Sequence, residues 1–329
     1  MLGLISFVLA VAAPATASTV IPFALIDNRI VVQARINSAG PFAMILDTGS
    51  DEVVVTPAAA GRLKLRTQGV GNVGGAGSGR VALARSRIAT ISIGSTTVRS
   101  LPVDVIDLGP VKRAIGFPRL DGVIGYSMLR NLRVFVNADR RELTLSREPL
   151  QAPPRARSTT FTIAGASIHV RAAVDGVRDS FVVDTGDRSS LTLFRGFAQA
   201  HHFYDRASVR DVVTGIGIGG PIYSDLLRTT VTLFGNTIPS VLTRAARDRG
   251  GAFASVTEAG SIGYGLLKRF NVIFDFPRRT IISWRSNSFA SSDHYVSLQL
   301  SHNGIFRRSI PSPDPTLVTK TSAPPRHAT

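Results

Sequence analysis

The sequence contains no cysteine. That absence excludes disulfide scaffolds, thiolate zinc sites, cysteine nucleophiles and a lipidated anchor cysteine. Lysine is nearly as scarce: only Lys64, Lys112, Lys268 and Lys320 occur, so almost all basic charge is arginine. Acidic residues number 22 against 38 basic ones, leaving a formal charge of +16. A charge of that size suits an acidic partner. There is, however, no run of five or six like charges, and Arg140-Arg141, Arg278-Arg279 and Arg307-Arg308 are too short to form a stripe. The arginines read as scattered surface charge, and no nucleic-acid partner is expected. No apolar run reaches the roughly 20 residues needed to span a bilayer, and no short period marks a collagen or a coiled coil. What is present is a chain of 329 residues, 44% hydrophobic and 18% charged. That is enough to bury a sizeable core in about two domains.

Residues 1–17 read as an export signal. The segment 2–13 is almost wholly apolar, and Ala15-Thr16-Ala17 forms a small-residue cleavage site before Ser18, although the first basic residue is Arg29. A periplasmic or secreted protein is expected, with no stable membrane span once the signal is removed.

The body of the chain is one unit written twice. Residues 35–49 and 173–186 each run from a strand-like stretch through a polar turn into an apolar strand. That strand ends in Asp47-Thr48-Gly49 in the first copy and Asp184-Thr185-Gly186 in the second, 137 positions later. A second block repeats at 138 positions: Val123-Ile124-Gly125 and Ser261-Ile262-Gly263. Each is followed by an apolar strand (132–136 and 270–274), an Asn137 or Asp275, an arginine pair and a further strand. Two blocks at nearly one offset indicate a duplication, with a first lobe over 18–148 and a second over 156–285. The linker 149–155 holds Pro149, Pro153 and Pro154. Residues 286–329 match neither copy, are rich in Ser and Pro, and read as a poorly ordered tail. Short β-branched runs cut by Gly, Asn and Pro make both lobes mostly strand. Short helices are expected near 128–131, 195–201 and 266–270.

A carboxylate at the end of an apolar strand is costly to bury unpaired. Here it occurs twice, at equivalent places, and a pseudo-twofold axis can bring Asp47 and Asp184 together. Two carboxyls in contact cannot both ionise cheaply, so they share a proton. One is then a base for water and the other an acid for a carbonyl oxygen, which suffices to hydrolyse an amide. Gly49 and Gly186 allow the sharp turn and close approach. The hydroxyls of Thr48 and Thr185 can bond across the axis.

At these residues the chain resembles the aspartic peptidases of the pepsin and retroviral type. The resemblance covers both triplets, Ser50 after the first, and both glycine elements. Lobes of about 130 residues look more like a bacterial retropepsin-like protein with its two protomers fused. It implies an all-β fold of two similar closed β-barrel-like lobes about a pseudo-twofold axis, with the active site between them. It further implies Asp47 and Asp184 as the catalytic pair, supported by Thr48, Gly49, Ser50, Thr185, Gly186 and Asp187. No cofactor and no metal are expected. A peptide or protein substrate would lie extended in the cleft of a monomer.

Two departures matter. Ser, Thr or Ala usually follows each triplet in the family, and a Ser or Thr hydroxyl there can donate to the neighbouring carboxylate; here the second is followed by Asp187. It points either at the dyad, adding a negative charge, or away towards Arg188, with Ser189 or Ser190 supplying the donor. The candidate flap hairpin, residues 71–79 with Gly74, Gly75 and Ala76, has no tyrosine of the pepsin kind. Its counterpart carries Gly215, Ile216 and Gly217, and glycine density suits mobile flaps.

Rival motifs are weaker. Gly215-x-Gly217-x-x-Gly220 lacks the strand-to-helix setting of a dinucleotide site. Ser127 is not in a nucleophile elbow. His201 and His202, adjacent on a helix, point apart rather than converging with Asp205 on a metal. The remaining alternative is a peptidase-like protein that binds peptide without cutting it, a reading that Asp187 keeps open.

Overall fold

A computed structural model describes residues 19–293 together with the short strands Leu298–Leu300 and Phe306–Arg308. The expected signal segment lies outside the described residues, as does most of the expected tail.

Each lobe is an eight-stranded sheet. In the first the order is Ala24–Ile26, Arg29–Ile36, Ala39–Leu46, Leu120–Ile124, Val53–Val55, Thr96–Ile106, Arg80–Ile93 and Gln68–Gly74. In the second it is Thr162–Ala164, Ser167–Val174, Val177–Asp184, Gly260–Gly263, Leu191–Leu193, Asn236–Ala246, Gly220–Leu233 and Val209–Gly217. The two orders correspond strand for strand, and the same extra pairing bends each sheet back on itself: Arg29–Ile36 with Arg80–Ile93, and Ser167–Val174 with Gly220–Leu233. The lobes are thus curled sheets, but not the closed barrels expected. The outermost strands of each, such as Ala24–Ile26 and Gln68–Gly74, do not pair with one another.

The lobes are also less separate than the sequence suggests. A third, six-stranded sheet takes Val20–Pro22, Glu142–Ser146 and Arg133–Asn137 from the first half, and Phe270–Asp275, Thr280–Arg285 and Arg157–Thr160 from the second. The halves join where Arg133–Asn137 runs antiparallel to Phe270–Asp275, pairing Val134 with Phe274, Phe135 with Ile273 and Val136 with Val272. All six residues of Phe270–Asp275 are buried. Apolar side chains from both lobes and this sheet, including Phe42, Phe181, Phe270 and Phe274, form one continuous core.

Short helices occupy Tyr126–Leu129, Tyr264–Leu267 and Arg195–Ala200, close to the expected places. Two more were not expected: Pro57–Arg62, capped by the Thr56 hydroxyl, and Gly109–Ile115, closed by left-handed Gly116. The segment assigned to the tail begins as packed chain. Ser286 is buried, the Phe289 ring meets Phe270 edge-on, and Asp293 pairs with Arg269 at 2.9 Å. Apolar and charged partners on the second lobe hold it there, so the ordered body extends past 285 to at least Asp293.

Candidate active site

Each triplet is delivered by a strand wedged against its glycine element. Ala39–Leu46 runs parallel to Leu120–Ile124, and the Asp47 amide donates to the Ile124 carbonyl at 3.0 Å. Val177–Asp184 runs parallel to Gly260–Gly263, setting Asp184 beside Gly263. Behind each loop only glycine fits. A methyl on Gly125 would collide with the Glu52 carbonyl, and one on Gly263 with that of Ser189. The next amides then hold the loops: Tyr126 donates to the Ser50 carbonyl and Tyr264 to that of Asp187, both at 2.8 Å.

Across the axis, the Thr48 hydroxyl donates to the Val183 carbonyl and the Thr185 hydroxyl to the Leu46 carbonyl, both at 2.7 Å. Each hydroxyl also accepts the other threonine's amide at 3.1 Å. Four buried hydrogen bonds thus lock the two triplets into one register. They bring the Asp47 and Asp184 side chains within hydrogen-bonding contact of each other. A methyl on Gly49 would lie 2.6 Å from the Asp184 carboxyl carbon, and one on Gly186 would collide with Asp47. The Gly49 amide donates to Asp47 Oδ1 at 2.9 Å, and the Gly186 and Asp187 amides donate to Asp184 Oδ1 at 2.8 and 3.0 Å.

The pair is not symmetric. Burial raises the Asp47 carboxyl, offset in part by the hydrogen bond with Asp184, by the Gly49 amide and by the nearby Arg29 guanidinium. Burial raises Asp184 further, well above the ordinary carboxylate range, and the negative charges of Asp47 and Asp187 add to it. The more negative surroundings of Asp184 thus favour a shared proton on its side of the pair. Arg29 enters from the start of its strand: its Nε donates to the Gly186 carbonyl at 2.9 Å, and its Nη1 meets Asp27 at 2.6 Å. Asp27 also receives Arg188 at 3.1 Å.

Asp187 points away from the dyad. Its carboxylate accepts from the Ser189 amide and hydroxyl at 2.9 and 2.8 Å, and from the hydroxyls of Thr192 at 3.0 Å and Ser261 at 3.2 Å. Its cation is Arg244, at 2.8 Å, rather than Arg188. Both side chains of this pair are at most 5% exposed. Burial would raise Asp187, but Arg244 and these donors hold it below its ordinary value. Ser189 spends its hydroxyl on Asp187, and Ser50 spends its own on the Glu52 carbonyl, so neither donates to the dyad.

Above the pair lies a cavity of about 360 Å³. Gly74, Gly75, Ala76, Gly215, Ile216 and Gly217 all line it, together with both aspartates. The two hairpins meet over it. The Gly77 amide donates to the Ile218 carbonyl at 2.9 Å and the Gly79 amide to that of Gly219 at 2.8 Å. The first hairpin reaches on to the second lobe, where the Ser78 hydroxyl meets Asp248 at 3.1 Å and the Gly75 carbonyl takes the Ala252 amide at 2.8 Å. Sequence reasoning missed Arg29, Asp51, Glu52, Asp104 and Arg244, which line the same cavity. His202 meets Asp205 at 3.2 Å on the exposed surface, and no cluster suited to a metal occurs among the described residues.

A family model described as "Aspartyl protease" matches residues 32–128. That stretch contains the first triplet and its glycine element. No curated protein matches the sequence. Among solved structures, the aspartic proteinase from Irpex lacteus superposes with a TM-score of 0.52 at 15% identity, covering 84% of this chain and 99% of that one. The paired triplets, their glycine supports and the two-lobed sheet order thus sit in a chain similar to the aspartic peptidases, in sequence through the first lobe and in fold across both.

Proposed function

We propose that the protein is an aspartic endopeptidase whose dyad is Asp47 and Asp184, acting on an extended peptide beneath the two flaps. The observation that carries this reading is the contact of two buried carboxyls at the floor of the cleft, held by the threonine bonds. Asp47, the less raised of the two and the one beside Arg29, acts as the base that takes a proton from water. Asp184 holds the proton and delivers it to the carbonyl oxygen of the scissile amide. The resulting tetrahedral intermediate collapses as the amine leaves with a proton. Gly49 and Gly186 leave room for the opposite carboxyl to approach, and flap strands offer backbone groups to the substrate backbone. One chain supplies both carboxyls, so the monomer is the working unit. The leader-like segment 1–17 supports export to the periplasm or beyond. Asp187, already neutralised by Arg244, gives no ground for a binder that does not cut.

The test is cleavage of a mixed peptide library by wild type, Asp47→Asn and Asp184→Asn. Each single variant is expected to lose cleavage by at least about a thousandfold, because each removes one half of a two-role pair. Near-normal turnover by either variant overturns the assignment.

A further inference from the structure

The two halves of the cleft carry opposite charge at equivalent positions. Asp51 and Arg188 are each the fourth residue after their catalytic aspartate. Asp104 and Arg244 are related by strand register. Val54 of Val53–Val55 faces Asp104, and Thr192 of Leu191–Leu193 faces Arg244, in the corresponding parallel pairs of the two sheets. All four residues line the cavity. A duplication starts from identical halves, so two sign reversals at the wall of one cleft break its symmetry in a single direction.

The basic side is partly answered from within: Arg244 is matched by Asp187 at 2.8 Å, and Arg188 meets Asp27 at 3.1 Å, a carboxylate it shares with Arg29 at 2.6 Å. The acidic side is not. Among the described residues the cation that Asp104 meets is Arg85, at 3.6 Å, a side chain 64% exposed, and Asp51 stands near enough to raise the Asp104 carboxyl beyond what burial does. Glu52, on the same wall, has a buried Oε2 with no hydrogen-bond partner. Beside these carboxyls the wall is aliphatic: Val54, Ile106, Leu108, Val111 and Val123. An apolar stretch ending in unbalanced carboxyls matches a long aliphatic stem with a cationic head.

We propose that the first-lobe half of the cleft takes a lysine or arginine side chain of the substrate, so that cleavage requires a basic residue on one side of the scissile bond only. This rests on the endopeptidase reading, which concerns the dyad, whereas the preference concerns the wall. The stem lies along the aliphatic residues and the head bonds to Asp51, Glu52 and Asp104. Among the described residues, the carboxylate that lines the second-lobe side besides Asp184 is Asp187, and Arg244 already holds it.

Peptide libraries varied position by position between Lys, Glu and norleucine test this with wild type, Asp104→Asn and Asp51→Asn. For wild type, Lys is expected to exceed Glu by about tenfold in kcat/KM at one position, the size of a charge-assisted hydrogen bond. That ratio should fall towards one in either variant and shrink at high salt. Equal cleavage of Lys and Glu peptides by wild type, or an unchanged ratio in both variants, overturns the proposal while leaving the dyad reading in place. A second arm measures binding of fluorescent Lys and Glu peptides to Asp184→Asn. Selective binding of the Lys peptide by this variant, with no cleavage by wild type at any pH, sinks the endopeptidase reading and the cleavage requirement with it, but upholds the site for a basic side chain. Indifferent binding sinks it.

Discussion

Arg29 has no counterpart in the second lobe: the strands Arg29–Ile36 and Ser167–Val174 correspond residue for residue, and the matching position is Ser167. A single guanidinium on one side of a twofold pair is enough to assign different roles to two like carboxyls. Replacing it by methionine removes a positive charge from beside Asp47, whose carboxyl then titrates higher. The acid limb of the kcat/KM profile should therefore move to higher pH in Arg29→Met and stay near wild type in Arg29→Lys. Superimposable limbs for Arg29→Met would show that it acts only as a strut. Asp187 gives the second prediction at this scale. Asp187→Ser strands a buried guanidinium, at a cost of about 3–5 kcal/mol, read by calorimetry as a fall in Tm on the order of 10 °C. Arg244→Leu in the same chain should recover most of it. The Asp187 carboxyl is held below its ordinary value, so the stability this pair contributes is complete above that value and disappears as pH falls through the lowered one. The catalytic pair, relieved of a neighbouring negative charge, titrates lower in Asp187→Ser, moving its acid limb to lower pH. Among residues, those legible in the sequence were the ones whose partner is a copy of themselves: Asp47 with Asp184, Thr48 with Thr185. Arg244 was not, because nothing local ties it to a carboxylate 57 positions away, and the nearer Arg188 was the natural but incorrect expectation.

At the scale of elements, both hairpins over the cleft were marked by their glycines, and the reason for so many shows only in their contact. A methyl on Gly77 would lie 2.6 Å from Gly219 and Gly220 backbone atoms, so the tips approach at a distance that excludes side chains. Gly77→Val should hold the flaps apart and lower kcat/KM about tenfold, mostly through KM, since closure positions the substrate. Unchanged kinetics would mean that the tips work without touching. The helices Pro57–Arg62 and Gly109–Ile115 were not expected, although Thr56-Pro57 and Gly116 are boundary signals, and each has only six or seven residues. That is too short for a 3.6-residue period to stand out against the surrounding strands. Strand pairing between the halves was hidden for another reason: alternation shows that 132–136 and 270–274 are strands, but a sequence does not state which strand lies beside which.

For the molecule as a whole, the register of that central pair has a consequence of its own. Phe135 faces Ile273, its own equivalent in the other half, while Val134 faces Phe274 and Val136 faces Val272. Each partner is the repeat-mate of the other's partner, so the junction is isologous: a patch meeting itself about a twofold axis, as in a C2 dimer. A half-length polypeptide with this edge would expose Arg133–Asn137 as an unpaired strand and find its complement in a second copy. Residues 19–148 expressed alone should therefore sediment as a dimer with two Asp47 side chains facing each other. A folded monomer in analytical ultracentrifugation would contradict this. The covalent link through 149–155 then does what concentration does for separate subunits, making assembly independent of dilution and leaving each half free to diverge. Charges of opposite sign on the two walls of one cleft became attainable only once the halves were encoded separately.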